Sequence, residues 1–489
     1  MLFNSFEFIF IFLPIVFILY FLLLRYRLVT LANGWLALSS LIFYSWWNIA
    51  YLPLILISII CNYVIGYILG KGTVKISRKF LFIIGISFNI GLLAYYKYFD
   101  FFISNINSGF QTNIPLLHLV LPLGISFFSF TQIAYLVDSY RRESTEYNFQ
   151  NYVLFVTFFP HLIAGPILHH NEMMPQFSHI RNKIINWKNI SIGLLLFAIG
   201  LVKKVIVADT FAVWATNGFD YTSALTFFEA WIASLSYTLQ LYFDFSGYTD
   251  MAIGIALLFN IKLPANFNSP YKSLNIQEFW RRWHITLGRF LTKYLYIPLG
   301  GNRKGSARTY INLFFVFLIS GIWHGAGWTF IIWGVLHGLA SVINRYWQSF
   351  NVKMNKFLAW FITFNFINVA WVFFRASSWE DAIKVLSGMI GLNGFALPTQ
   401  FSGYIQQSQF LEFLRGTNFT PFYIQDKYEL LKALIYILTF VLVATLFRNS
   451  QELSKKFSFG IITSTVIVIC FVFSILTFTK VSEFLYFNF

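Results

Sequence analysis

The sequence predicts an all-α polytopic membrane protein, and three observations predict it. Hydrophobic residues make up 57% of the 489 and charged residues only 11%, less than half of the roughly 25% of a soluble globular chain. Mean hydropathy is +0.65. The apolar residues fall in long unbroken runs, unlike the alternating ten-residue segments of an outer-membrane barrel. Soluble domains, disorder, collagen and coiled coil are excluded by the same shortage of polar surface. Within lipid every backbone polar group must be satisfied internally, so these runs have to be helices.

A spanning helix needs about 20 apolar residues. Runs of that kind occupy 6–24, 28–47, 52–69, 80–96, 116–137, 190–214, 357–374, 431–447 and 461–478. The first has no basic residues before it and no small-residue cleavage site after it, so it reads as a retained span rather than a signal peptide. Residues 153–168 hold Pro160, His161, Gly165 and Pro166 and fit a re-entrant segment better than a straight span. Residues 225–259 are too long for one straight span and are interrupted by polar residues at 244–247, which predicts a bent or broken helix. Residues 310–346 are interrupted at 321–327 by three glycines. Lys203 and Lys204 fall inside a span: either they take the inward-facing or functional role to which such charges default, or the helix boundary lies elsewhere.

The net charge is +16, from 35 Lys and Arg against 19 Asp and Glu. In a membrane protein this reflects basic cytoplasmic loops rather than a nucleic-acid partner. With the N-terminus outside, about twelve crossings place the basic clusters at 25–27, 71–79, 141–142, 181–188, 262–308, 345–356 and 448–456 on one face, which is then cytoplasmic. The whole chain, 1–489, reads as one integral membrane domain. It includes a basic, aromatic segment at 262–308 and a polar outer loop at 397–427, the only outer segment large enough to dock a partner. Cys61 and Cys470 are far apart in apolar runs and support no disulfide, zinc site or redox pair; no metal is expected.

Nucleotide-binding GxxxxGK[ST] and GxGxxG, the zinc-protease HExxH and the GxSxG nucleophile elbow are all absent. An ATP-driven pump and a serine hydrolase are thereby disfavoured. No internal repeat supports a secondary transporter. Four other features can carry chemistry. His324 lies in Ser320-Gly321-Ile322-Trp323-His324-Gly325-Ala326-Gly327, inside an apolar run. It is either a general base, since imidazole titrates near neutral pH, or a buried histidine bonded to a neighbouring helix. In Trp280-Arg281-Arg282-Trp283-His284-Ile285-Thr286-Leu287-Gly288-Arg289, arginines interleave with tryptophans around one histidine. Guanidinium groups hold phosphate bidentately and aromatic faces stack on a planar base, so the segment is either a site for a phosphorylated ligand or an interfacial helix on lipid headgroups. Asp244 and Asp250, at the polar interruption, could orient a histidine or pair with the arginines. His161 sits in the re-entrant segment. His118, His169, His170 and His179 read as surface residues.

Taken in order, Phe43-Tyr44-Ser45-Trp46-Trp47, Leu121-Pro122-Leu123-Gly124-Ile125-Ser126-Phe127-Phe128, residues 244–250, 278–289 and 298–303, and Trp323-His324-Gly325 form a specific set. The sequence resembles the membrane-bound O-acyltransferases, in particular the bacterial branch of alginate O-acetylation proteins and peptidoglycan O-acetyltransferases. The resemblance covers most of the chain and implies a ring of about 11–13 spans with re-entrant segments, around a tunnel or paired funnels that reach one histidine from both faces. By the same resemblance His324 is the intramembrane catalytic histidine and His284 its second histidine. Arg281, Arg282 and Arg289, with Trp283, are implied to line an entrance for acyl-CoA. The implied activity is transfer of acetyl from cytosolic acetyl-CoA across a bacterial cytoplasmic membrane to a cell-envelope polysaccharide, through a separate extracytoplasmic SGNH-type acetyltransferase. No permanently bound cofactor is implied, and membrane lipid is the other expected partner. D-alanyl or longer-chain transfer on the same fold, and a transporter or lipid flippase, are the alternatives.

Overall fold

The structure is a computed structural model, and it describes residues 1–72, 76–143, 148–398, 400, 421, 423–456, 460–478 and 485. Among these there is helix and loop but no strand. A π-helical turn, Glu7–Phe12, leads into α1 (Leu13–Arg25), followed by α2 (Val29–Ser45) and α3 (Leu52–Lys71). α4 (Arg78–Leu93) passes through a π-helical turn at Ala94–Tyr98 into α5 (Phe99–Phe110), and α6 (Ile125–Tyr140) follows. Next come α7 (Phe149–Thr157), α8 (Phe159–Leu162) and α9 (His170–Ser178). α10 (Trp187–Leu201) runs through a third π turn, Val202–Ala208, into α11 (Asp209–Thr216), and α12 is Phe227–Leu258. Two short helices, α13 (Ile276–Arg282) and α14 (Ile285–Leu291), precede α15 (Gly305–His324) and α16 (Trp328–Ser349). The remainder is α17 (Lys356–Arg375), α18 (Trp379–Met389), α19 (Lys427–Leu446), α20 (Ser450–Lys455) and α21 (Ile461–Leu476).

Seven helical stretches among the described residues are long and apolar enough to cross a membrane, and α2 and α21 are shorter apolar helices. The protein is an all-α polytopic membrane protein. Most of the outer loop expected at 397–427 lies outside the described residues. The expected span at 116–137 begins late: residues 112–124 are not helical, and the helix is Ile125–Tyr140. Pro115 and Pro122 explain this, since each removes a backbone donor and disfavours helix in the residue before it. The non-helical stretch is tied down by Asp100, which accepts from the backbone N–H groups of Leu117 at 2.8 Å and His118 at 2.9 Å.

α12 corrects a second expectation. It is one continuous helix of 32 residues, roughly 48 Å long, and it runs straight through 244–247. Its aspartates do not break it because they have partners. Asp250 pairs with Lys203 at 2.6 Å, and Lys204 bridges Asp244 at 2.8 Å and Asp209 at 3.0 Å. The two lysines that the sequence leaves unexplained and the two aspartates assigned to arginines or a histidine therefore answer each other. α10 approaches α12 closely enough that a Cβ on Gly200 would lie 2.5 Å from the Gly247 carbonyl. Such close approach at small residues is how helices associate in lipid. α12 contributes to both apolar cores. One joins its C-terminal half to the helices of the N-terminal part of the chain, and the other joins its N-terminal half to α11 and α13 and to α16 through α19.

Candidate active site

α15 and α16 form a hairpin with its apex at 325–327, as the glycines predicted. The helices pack backbone to backbone. A Cβ on Gly321 would meet the Phe330 carbonyl at 2.4 Å, and one on Gly334 would meet the Phe317 carbonyl at 2.7 Å. Gly325 is extended rather than left-handed. Its need for glycine is spatial, since a Cβ there would lie 2.2 Å from the Phe330 ring. This tight turn ends α15 on His324 and holds that residue inside the protein, 6% exposed. Three rings enclose the imidazole, with centroids at 4.8 Å (Trp323), 5.1 Å (Trp333) and 5.1 Å (Phe374). Its Nδ1 is buried with no hydrogen-bond partner among the described residues, a state it shares with other buried polar atoms such as the Trp333 indole nitrogen.

His284 is 1% exposed and adopts a left-handed backbone, φ 43°. For a non-glycine residue that conformation is strained by about 1–2 kcal/mol. Its Nδ1 lies 3.1 Å from Asn266 Oδ1, which also accepts from the Thr286 backbone N–H at 3.2 Å. A backbone N–H can only donate, so the shared atom is an oxygen and His284 Nδ1 must donate to it. Nε2 is then the basic nitrogen of His284. His284, His337 and Lys97 all lie within electrostatic reach of the His324 ring.

A cavity of about 840 Å³ opens beside α13 and α14. Arg281, Arg289, Lys293 and Arg345 line it against one carboxylate, Glu172. Arg289 is ion-paired with Glu172, and Lys293 with Asp138 and Glu143, each at 2.9 Å. Burial works against the Lys293 ammonium, but those two carboxylates outweigh it and hold its pKa above the ordinary lysine value. Arg281 and Arg345 have no carboxylate partner among the described residues. The far wall climbs α15 through Val316 and Phe317 to Ser320, one turn before His324. Beyond His324, a space of about 30 Å³ touches Lys97, Ser126 and His324. A further cavity of about 290 Å³ is lined by Tyr96, Lys97, Gly325 and Phe330. Along the α15 axis, His324 therefore stands between a basic cavity and a second cavity at the hairpin apex.

The Arg-Trp-His segment divides its labour. Arg281 and Arg289 face the basic cavity. Arg282 and Trp283 are not among its lining residues. Arg282 pairs with Glu278 at 2.8 Å and donates to the Asn268 carbonyl at 3.1 Å. Trp283 is 4% exposed, its ring 5.0 Å from both Phe267 and Trp371. These two residues build the wall rather than the opening.

His169 and His170 are not surface residues as expected, being 6% and 1% exposed. His170 approaches Asp138 at 3.3 Å, and His169 Nδ1 meets the Tyr294 hydroxyl at 3.1 Å. Burial first, then the Arg289 charge, lowers the His169 pKa. His118 and His179 are exposed as expected. His161 lies buried in the short helix α8, outside the linings of both larger cavities. Two site residues escaped the sequence reading. His337 on α16 is fully buried and accepts from the Trp280 indole N–H at 3.2 Å. Lys97 reaches the hairpin apex from the far end of α4. No group of three or more potential ligands that could hold a metal ion occurs among the described residues.

The profile of the membrane-bound O-acyltransferase family matches residues 81–377. The chain belongs to the membrane-bound O-acyltransferase family. It is 48% identical to a peptidoglycan O-acetyltransferase of Helicobacter pylori, over 100% of this chain and 98% of that one. It is 41% identical to a protein of Pseudomonas putida named probable alginate O-acetylase, over 81% of this chain and 82% of that one. A teichoic acid D-alanyltransferase of Bacillus subtilis is 26% identical, over 53% of this chain and 69% of that one. The matched segment contains both histidines, both cavities and the arginine cluster.

Proposed function

We propose that this acyltransferase takes acetyl from acetyl-CoA at its basic face and delivers it to a hydroxyl arriving from the other face, for O-acetylation of peptidoglycan or an alginate-like polysaccharide. The membrane is then the bacterial cytoplasmic membrane, with the basic clusters inside. The observation that carries the reading is the placement of His324 between two cavities, the larger of them lined by cations. The phosphates of CoA suit Arg281, Arg345, Arg289 and Lys293, because guanidinium forks bind phosphate bidentately. The pantetheine arm follows the apolar wall of Val316 and Phe317 toward His324.

In the reaction His324 accepts the proton of the acceptor hydroxyl. The oxygen attacks the thioester carbonyl carbon, the C–S bond breaks, and the CoA thiolate leaves and is protonated. The ester product keeps the acetyl carbonyl. His284, with its basic nitrogen fixed as Nε2, orients the acyl group or the water that stands in for it. A positioned general base contributes on the order of 10²–10⁴ in rate. The final acceptor is reached through a separate extracytoplasmic SGNH-type acetyltransferase, docked at the apex side. Near-full-length identity to a peptidoglycan O-acetyltransferase favours acetyl over D-alanyl, whose named relative matches about half of the chain. A transporter reading loses its support in the intramembrane charges, because Lys203 and Lys204 are neutralised by aspartates.

The test is alkali-released acetate from envelope polysaccharide, in a deletion strain complemented with wild type or with His324→Ala at equal membrane abundance. Acetate restored by wild type and not by His324→Ala is the expected result. Acetate restored equally by both would remove His324 from the chemistry. Released D-alanine in place of acetate would move the donor to the alternative branch.

A further inference from the structure

The last carbonyls of a helix have no partner within it, and α15 ends on the residue whose ring is proposed to do the chemistry. Its terminal carbonyls are caught from outside the hairpin. Lys97 Nζ donates to the Trp323 carbonyl at 2.7 Å, to the His324 carbonyl at 3.0 Å and to Ser126 Oγ at 3.3 Å. The next residue, Tyr98, donates its hydroxyl to the Ile322 carbonyl at 2.8 Å. Consecutive residues can reach three consecutive carbonyls because they lie in the π-helical turn Ala94–Tyr98 between α4 and α5. Single π turns of this kind gather at functional sites. An ammonium has three donors, and these three contacts use them all. A cation at a helix C-terminus is also favoured by the helix dipole. Lys97 lines both spaces on the apex side of His324.

We infer that Lys97 is a positioning residue that fixes the backbone of His324, and so sets its imidazole between donor and acceptor. The inference rests on the proposed acyl transfer at His324. Lys97 has no donor left for substrate, so it acts through the histidine. Its loss lets the end of α15 shift, and a displacement of about 1 Å at a reacting group costs on the order of 10²-fold in rate.

The experiment uses the full chain purified in detergent or nanodiscs, with acetyl-CoA and a soluble alcohol acceptor, and ester formation is followed. Lys97→Met keeps the length of the side chain and removes its donors. Its kcat is expected to fall by about 10²-fold with the KM for acetyl-CoA within threefold of wild type, because the basic cavity is not touched. Lys97→Arg keeps the charge and recovers at least a tenth of the wild-type kcat. Tyr98→Phe, which loses only the Ile322 bond, falls less than Lys97→Met. In a His324→Ala background, Lys97→Met is expected to add no further loss, the signature of one residue acting through another. Should Lys97→Met fail to assemble, Lys97→Arg and Tyr98→Phe still decide through their kcat and KM values. Wild-type kcat in Lys97→Met would overturn the inference, as would a rise in KM with kcat kept. No ester from wild type, or wild-type turnover by His324→Ala, would instead overturn the acyl-transfer reading on which it rests.

Discussion

At the residue scale, the arginine cluster separates into groups that line the basic cavity and groups that build the wall. Arg281→Ala and Arg345→Ala each remove a guanidinium from the basic cavity without breaking an ion pair. Each is expected to raise the KM for acetyl-CoA about tenfold with little change in kcat, the loss of one charge-assisted hydrogen bond. The weakened binding should fall further as salt is added. Arg282→Ala breaks the pair with Glu278 instead, so steady-state kinetics should show an unchanged KM and a slightly lower thermal midpoint. Legibility followed the same division. His324 could be singled out because it stands beside glycines in an apolar run, although the residues alone left a buried structural histidine equally open. His337 could not, since it sits at ordinary helical spacing and only the fold brings it to Trp280. Lys97 could not either. Its partners are backbone carbonyls more than 220 residues away, and no side-chain pattern records a carbonyl.

At the scale of elements, the decisive unit is the α15–α16 hairpin. Gly334→Ala adds a methyl where the Phe317 carbonyl would stand 2.7 Å away, and no flexible side chain is there to yield. The helices must separate, at about 1–3 kcal/mol, and the apex that holds His324 moves with them. A lower thermal midpoint together with a fall in kcat is expected, read by fluorescence unfolding and ester formation on the same preparation. The breaks in the chain were readable where glycine or proline caused them, as at 325–327 and between α7 and α8. The expected break in α12 was an error of a particular kind. Aspartate, serine and glycine at 244–247 resemble a loop in isolation, but helix integrity depends on whether polar groups find partners. Those partners, Lys203 and Lys204, lie on another element. The reverse error occurred at 116–124, where apolar residues suggested a span and Pro115 and Pro122 prevented one.

At the scale of the whole molecule, α12 is the strut to which both apolar cores attach, and its buried charges are its weak point. Lys204→Met would leave Asp244, 1% exposed, and Asp209 facing each other without their shared cation. Breaking a buried pair by removing one partner costs about 3–5 kcal/mol, enough to be seen as lost membrane abundance. The double replacement Lys204→Met with Asp244→Asn should recover part of it, as quantified by blotting of membrane fractions. The composition made the membrane class legible at once, and the runs gave most helix positions. The association of helices was not legible, because between apolar surfaces in lipid it depends on where small residues and buried pairs meet.

The position of His324 has one more consequence. Under the proposed function, a ring with a cavity on either side of it along α15 is the thinnest point of the barrier that separates two solutions. Catalysis asks that point to be accessible, whereas an energised membrane asks it to be an insulator. The three aromatic side chains around the imidazole reconcile these demands. Their centroids stand 4.8 Å and 5.1 Å from it, and the space that touches the imidazole on the apex side is only about 30 Å³, room for about two waters. In the proposed reaction the site would work as a closed electrical contact, passing an acetyl group without passing current.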